Sequence, residues 1–310
     1  MVRRFQKQIV THQLSLTASI LISVLLWSVG YIIRPVAGLL ETIGAYAMYA
    51  LIGYLLVVLN KSFAIIRLRA TFQTVIFMIL IGVSPKIHAI YEGNIVALCF
   101  LASLFLYFSS FQLERTSGLL FHAFMIWGVA CLLVPILVWL IPLIWYACFK
   151  FRGLNIKSFI ASIFGWSIPI GAYATYMFLT NQWDSFLVLA AKPITLGNTI
   201  LESIQPSSIV TLGCLFVVFL ISATHTLSNA LDEKVQARYY LFHIINITLA
   251  TFVLMFLFPF EVRQLLPIVL VCLCILYGHY ATLTDSKWSN IIFILVLLCS
   301  IPVFLIHLLY

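Results

Sequence analysis

Long runs of apolar residues alternate with short polar segments along almost the whole chain. Within each run the residues are apolar on all sides, whereas strands of a membrane barrel alternate apolar and polar positions. Helices satisfy their own backbone hydrogen bonds in lipid, so the runs predict membrane helices. We predict about eleven of them, at residues 14–33, 43–59, 71–83, 94–111, 119–133, 136–149, 158–179, 209–226, 239–259, 265–281 and 290–309.

The stretch 119–179 sets the predicted orientation of the chain. Its first turn, at Val134-Pro135, carries no charge, whereas its second, between Lys150 and Lys157, carries three cations. Basic loops favour the cytoplasmic side, which puts the second turn and the N-terminus inside. Of the 17 Lys and Arg residues, 13 then fall in inner segments. The four in outer loops are Arg34, Lys86, Lys192 and Arg263.

Composition supports a membrane location. Hydrophobic residues make up 64% of the chain and charged residues 8%, against about 25% charged in a soluble domain. We therefore predict an all-α, polytopic integral membrane protein of the bacterial inner membrane, with residues 1–310 as a single membrane domain. The net charge of +8 sits in short loops, which indicates topology rather than nucleic-acid binding. All seven cysteines lie in apolar runs, so neither disulfides nor a metal site is predicted.

Several segments depart from a simple spanning helix. The run 14–33 is too long for a signal-peptide core and is expected to be a retained first helix. The runs 71–83, 119–133 and 136–149 are short against the roughly 20 residues needed to cross, which leaves open whether they do so. The longest extracytoplasmic loop is 180–208, where residues 185–191 are expected to form a short interfacial helix.

The predicted outer loops carry the candidate functional residues. Carboxylates and cations near the headgroups can bind an anionic lipid carrier, and a carboxylate can act as a base on an acceptor hydroxyl. The alternative is that these are ordinary solvated loop charges. We predict catalytic roles for Glu41 and Glu92. The predicted substrate-binding residues are Arg34, Lys86, His88, Glu261 and Arg263.

Other chemistry is disfavoured by the sequence. His88 and Glu92 are four residues apart and would share a helical face as metal ligands or an acid–base pair, but Pro85 and Gly93 indicate a loop there. Every acidic residue falls in a loop or at a helix boundary, which argues against an ion-coupled carrier. No phosphate-binding loop, His-Glu-x-x-His or Gly-x-Ser-x-Gly motif is present. No cofactor is assigned.

Two stretches resemble lipid-carrier-dependent glycosyltransferases of the GT-C type. One runs from His122 through Gly128, Pro135, Pro142 and Arg152 to Gly165-Trp-Ser-Ile-Pro169. The other, Glu261-Val-Arg263-Gln-Leu-Leu-Pro267, is similar to the late Glu-x-Arg-Tyr-x-Leu-Pro turn of that class. The class places paired acids in a large first outer loop, whereas this chain has a short loop with only Glu41.

The whole chain also resembles a family of polytopic inner-membrane proteins of the Bacteroidota that has no assigned activity. The resemblance rests on the Ser84-Pro85-x-x-His88 loop and the Arg-Gln-Leu-Leu-Pro turn at 263–267.

Three functions follow from these observations. The first is a GT-C-like glycosyltransferase that acts on a polyprenyl-phosphate-linked sugar at the outer face, with Glu41 as the base and with Arg263 and Lys86 on the carrier phosphate. The second is a non-catalytic subunit or scaffold of an envelope assembly, with membrane-protein partners. The third is a transporter of a lipid or a lipid-linked substrate. Membrane lipids are expected partners in each.

Overall fold

The computed structural model describes residues 5–12, 14–66, 71–194 and 206–309. Three segments of the sequence analysis lie partly outside the described residues, namely the N-terminus, the basic loop 60–70 and the loop 180–208. Their charged residues outside the description are Arg3, Arg4, Arg67, Arg69 and Glu202.

The described chain is all-α. Each of the eleven predicted apolar runs contains helix, and their ends agree with the prediction to within a few residues. Four short 3₁₀ segments, at Pro85–Ile87, Pro135–Leu140, Ala230–Asp232 and Pro259–Glu261, join or precede α-helices. The α-helices are α1 Phe5–Thr11, α2 Ser15–Ile33, α3 Leu39–Phe63, α4 Phe72–Val83, α5 Glu92–Ser109, α6 Ser117–Leu133, α7 Ile141–Lys150, α8 Ile156–Leu179, α9 Trp183–Ala191, α10 Pro206–Ser228, α11 Val235–Leu257, α12 Val262–Leu283 and α13 Lys287–Leu309.

Seven segments of the described chain are long and apolar enough to cross a membrane, by length and composition. They are Ser15–Ile33, Leu39–Phe63, Glu92–Ser109, Ser208–Ser228, Val235–Leu257, Pro259–Leu283 and Lys287–Leu308. The chain is thus a multi-pass membrane protein, although this does not confirm the predicted count of about eleven spans or their orientation.

Two of the other predicted spans are short for identifiable reasons. The 12 residues of α4 rise only about 18 Å, less than the hydrocarbon thickness of about 30 Å. The predicted span 136–149 is divided into a 3₁₀ segment, Pro135–Leu140, and the 10-residue α7, because a proline lies in the first turn of each part. Although α8 has 24 residues, it is not among the seven segments.

The centre of the structure is α12. Every residue from Leu265 to Thr282 is buried, and α12 packs against α4, α5, α10 and α11. Its Gly278 lies against Gln73 of α4, where a Cβ atom would come within 3.1 Å of the Gln73 Cβ. The closeness of these helices therefore depends on a residue without a side chain.

A second close packing joins α6 to α8. A Cβ atom on Gly128 would lie 2.7 Å from the carbonyl oxygen of Trp166, and one on Gly165 would lie 2.2 Å from that of Phe121. Each glycine thus faces the backbone of the other helix. This close contact with α6 holds the long α8 against the rest of the protein.

The predicted interfacial helix overlaps α9, Trp183–Ala191. None of its residues is buried, and Trp183 and Phe186 pack with their ring centroids 5.1 Å apart. That α9 lies along a membrane surface stays a prediction.

Candidate functional site

Three of the predicted binding residues line one cavity of about 540 Å³. Arg34 comes from the loop after α2, Lys86 from the 3₁₀ turn after α4, and Arg263 from the first turn of α12. We call this space the cationic cavity. Among the described residues that line it, none is acidic. The lining residues are Arg34, Pro35, Val36, Ser84, Pro85, Lys86, Ile87, Ser208, Thr211, Leu212, Pro259, Phe260, Val262, Arg263, Leu266 and His307.

Arg34 and Lys86 are close enough to influence one another. Burial lowers the pKa of the half-buried Lys86, and the charge of Arg34 lowers it further. The Lys86 ammonium donates a hydrogen bond to Ser208 Oγ at 3.1 Å. The Arg34 guanidinium donates a long one, at 3.4 Å, to the backbone carbonyl of His307. Two positive charges from separate loops thus share one wall of the cavity.

Hydroxyl groups and helix termini add to this positive environment. Ser208 and Thr211 belong to the first two turns of α10, and Thr211 Oγ1 lies 2.7 Å from His307 Nε2. The N-terminal turns of both α10 and α12 reach the cavity. The partial positive charge at a helix N-terminus favours an anion.

Arg263 is held in place by an aromatic network. Its guanidinium lies 4.5 Å from the ring centroid of Tyr91, an arrangement that is attractive by cation–π interaction. The Tyr91 hydroxyl is 3.1 Å from that of Tyr49, which donates to Asn94 Oδ1 at 3.2 Å. The Asn94 amide in turn donates to the Ala89 carbonyl at 3.2 Å. The guanidinium is therefore oriented by groups from α3 and α5.

His88, another predicted binding residue, packs against α2. Its ring is buried and stacked on Trp27, with centroids 3.9 Å apart, and its Nε2 lies 3.0 Å from the carbonyl oxygen of Ile81. Burial lowers the pKa of His88 to about 4, so the imidazole is neutral at physiological pH. It does not line the cationic cavity. Its contacts brace the turn that carries Lys86.

The three predicted acidic site residues lie outside the lining of the cationic cavity. Glu41 is exposed in the first turn of α3, and Glu92 is exposed in the first turn of α5, directly after Tyr91. Glu261 belongs to the turn before α12, where Lys192 and Glu92 act on it electrostatically. Among the described residues, no group of three or more His, Cys, Asp or Glu side chains could hold a metal ion.

Sequence reasoning missed Ser208, Thr211, His307 and Tyr91. A hydroxyl pair three residues apart at the start of an apolar run is common in membrane helices, so it carried no signal. Tyr91 lies in a loop of the predicted topology, and the residue it contacts, Arg263, is distant from it in the sequence. Only the contact between α5 and α12 relates them.

We expect Gly93→Ala to disturb the site. A Cβ atom there would lie 2.9 Å from the Gln264 carbonyl oxygen and 2.4 Å from Tyr91 Cε2. Relieving both contacts displaces the start of α12 and the Tyr91 ring beneath Arg263. We expect this to lower the free energy of unfolding by about 1–3 kcal/mol. Thermal unfolding in detergent measures the change. Gly118→Ala is the control, since a Cβ there meets no atom within 4 Å. Equal midpoints for the two variants would contradict the expectation.

The comparisons with known proteins identify no relative. No protein-family model, no curated protein and no solved structure matches the chain. Neither the resemblance to GT-C glycosyltransferases nor the one to the Bacteroidota family is confirmed by them.

Proposed function

We propose that the protein binds the phosphate group of an anionic membrane lipid in the cationic cavity. The observation that carries this proposal is the convergence of Arg34, Lys86 and Arg263, from three separate parts of the chain, on one space. Guanidinium, ammonium and hydroxyl groups are the donors that proteins use for phosphate oxygens. The hydroxyls of Ser208 and Thr211 complete such a set.

The ligand is a lipid rather than a soluble anion because the cavity is half apolar. Val36, Leu212 and Leu266 line it together with the cations. Phe260 at its edge is 68% exposed, an arrangement that suits an amphipathic molecule at a membrane surface. A headgroup held at the ends of membrane helices keeps its chain in lipid.

The cavity is proposed to face the extracytoplasmic side of the inner membrane. The segments around Arg34, Lys86 and Arg263 hold few of the Lys and Arg residues of the chain. Segments poor in Lys and Arg favour the extracytoplasmic side. A polyprenyl phosphate or a polyprenyl-phosphate-linked sugar is the proposed ligand class at that face.

Sugar transfer and a structural role in an envelope assembly are two further proposals. Transfer would use Glu92 or Glu41 as the base, with the lipid phosphate at the cations. Glu92 is the better placed in the chain, next to the Tyr91 ring beneath Arg263. Since neither carboxylate lines the cavity, binding of the lipid is the function that the described contacts support best.

The test compares undecaprenyl phosphate with undecaprenol, which differ only in the phosphate. With the purified protein in detergent, we expect the phosphate to raise the midpoint of thermal unfolding and the alcohol to leave it unchanged, because a ligand that binds the native state stabilises it. The double variant Arg34→Ala/Lys86→Ala should lose most of this rise.

The matched control is Arg152→Ala/Lys157→Ala. It removes two exposed cations that lie outside the lining of the cationic cavity, Arg152 in the loop after α7 and Lys157 in the first turn of α8. This variant should respond to undecaprenyl phosphate as the wild type does. Equal stabilisation by the alcohol and the phosphate would overturn the proposal, as would equal losses in the two double variants.

A further inference from the structure

An apolar groove of about 810 Å³ opens on the side of the protein between α7 and α11. One wall consists of Leu140 and Leu143 with the exposed Trp139, whose indole donates a hydrogen bond to the Pro193 carbonyl at 3.0 Å. The other wall is α11. Among the described residues of this second wall, Asn246 carries the one amide side chain. The other residues of the wall are apolar, namely Leu249, Ala250, Val253, Leu254, Leu257 and Phe258.

The groove continues past Asn246 into a second space of about 370 Å³. Tyr146 and Asn246 line both spaces, so the two lie side by side. The second space ends beside Lys150 and Tyr239. We call the two together the lateral groove.

One face of α11 lines the lateral groove from end to end. The lining positions recur every three or four residues, as expected for one side of a helix. Examples along this face are Tyr239, Phe242, Asn246, Leu249, Val253 and Leu257. From Tyr239 to Phe258 this face is about 28 Å long at 1.5 Å per residue, close to the hydrocarbon thickness of a bilayer.

The lateral groove and the cationic cavity share a wall. Phe258 lines the groove, whereas the next two residues, Pro259 and Phe260, line the cavity. The turn at Pro259–Glu261 thus lies between the apolar lateral groove and the cationic cavity.

We infer that the lateral groove holds the hydrocarbon chain of the lipid whose phosphate occupies the cationic cavity. The inference rests on the proposed function and adds the class of lipid, one with a single long chain that lies along α11. The chain leaves the phosphate over Phe260, passes Phe258 and runs between α7 and α11 towards Asn246. Each methylene or isoprene group that packs against this lining gains dispersion contacts with it.

The inference is tested by filling the groove. Leu249→Trp places a large side chain in it, and Leu220→Trp on α10 is the matched control. Both leucines are equally exposed, at 45% and 44%, but only Leu249 lines the groove. Apparent affinities for undecaprenyl phosphate and isopentenyl phosphate are measured by titration in detergent. Isopentenyl phosphate has the same headgroup on a single isoprene unit.

We expect Leu249→Trp to weaken the binding of undecaprenyl phosphate about tenfold and to leave isopentenyl phosphate binding unchanged. Leu220→Trp should change neither. Ala250→Phe, which fills the same groove from the next position, should repeat the chain-dependent loss. Thermal midpoints of the ligand-free variants check that each is folded.

The failure of the inference is distinguishable from that of the proposed function. If both groove variants bind undecaprenyl phosphate as the wild type does while Arg263→Ala loses it, the groove inference is wrong and the phosphate site stands. If Arg263→Ala also binds as the wild type does, the phosphate site is wrong and the inference falls with it.

Discussion

Replacing Gly165 with valine is expected to separate α6 from α8 and to destabilise the protein by about 3 kcal/mol or more. A Cβ atom at this position would lie 2.2 Å from the Phe121 carbonyl oxygen and 3.0 Å from its carbon. These are backbone atoms inside a helix, so no side-chain rotation relieves the overlap. Since Gly128 faces the Trp166 carbonyl in the same contact, a shift at one glycine disturbs the other.

Gly171→Val is the control for this prediction. Gly171 lies on the same helix, and a Cβ there meets no atom within 4 Å. The helix-propensity cost of valine is therefore matched and only the contact with α6 differs. The amount of folded protein in the membrane and the thermal midpoint are measured for both variants. Similar values for the two would mean that the close contact of α6 and α8 does not stabilise the protein.

Removing the guanidinium at Arg263 is expected to give the largest loss of lipid-phosphate binding among single substitutions. Arg263→Ala removes a charged donor from the cationic cavity, which corresponds to a loss of about tenfold to a hundredfold in affinity for undecaprenyl phosphate. Binding is measured by the same titration in detergent. Wild-type binding should also weaken with added salt, because Arg263 is exposed.

Two further variants separate charge from orientation. Arg263→Lys keeps the charge but loses the planar group that lies over Tyr91, so it should bind with intermediate affinity. Tyr91→Phe keeps the ring and loses only the hydroxyl contact with Tyr49, so it should bind nearly as well as the wild type. Unchanged binding by Arg263→Ala would remove Arg263 from the site.

The positions of the helices were predictable from the sequence because charged or proline-containing segments bound each apolar run. The predicted span 71–83 differs from α4, Phe72–Val83, by one residue. The 3₁₀ segment at Pro135–Leu140 was not predicted, since a proline in an apolar run fits a kinked helix as well as a break.

The packing of the helices was not predictable in the same way. A helix that is apolar on all sides carries no information about which side faces protein. Residues 265–282 of α12 are all buried, whereas α13, the more apolar of the two helices, has few buried residues. Gly128 and Gly165, which form the contact of α6 with α8, entered the sequence analysis only through the resemblance to glycosyltransferases, so the contact itself was not predicted.

The candidate site was predictable in its charges but not in its geometry. Alternation of spans put Arg34, Lys86 and Arg263 on one side, and the structure brings them to one cavity. His88 looked equivalent to Lys86 in sequence, but the turn at Pro85–Ile87 directs its ring inward onto Trp27. A distance between loops depends on helix packing, which the sequence of this chain does not reveal.

The enclosure of α12 has a consequence for how the protein is made. Its neighbours α4, α5, α10 and α11 all precede it in the chain, and chains are synthesised from the N-terminus. When α12 leaves the ribosome, the helices that surround it are already in the membrane. Insertion of α12 is thus an assembly step, in which Arg263 is placed among helices that are already present, before His307 of α13 completes the described lining of the cationic cavity.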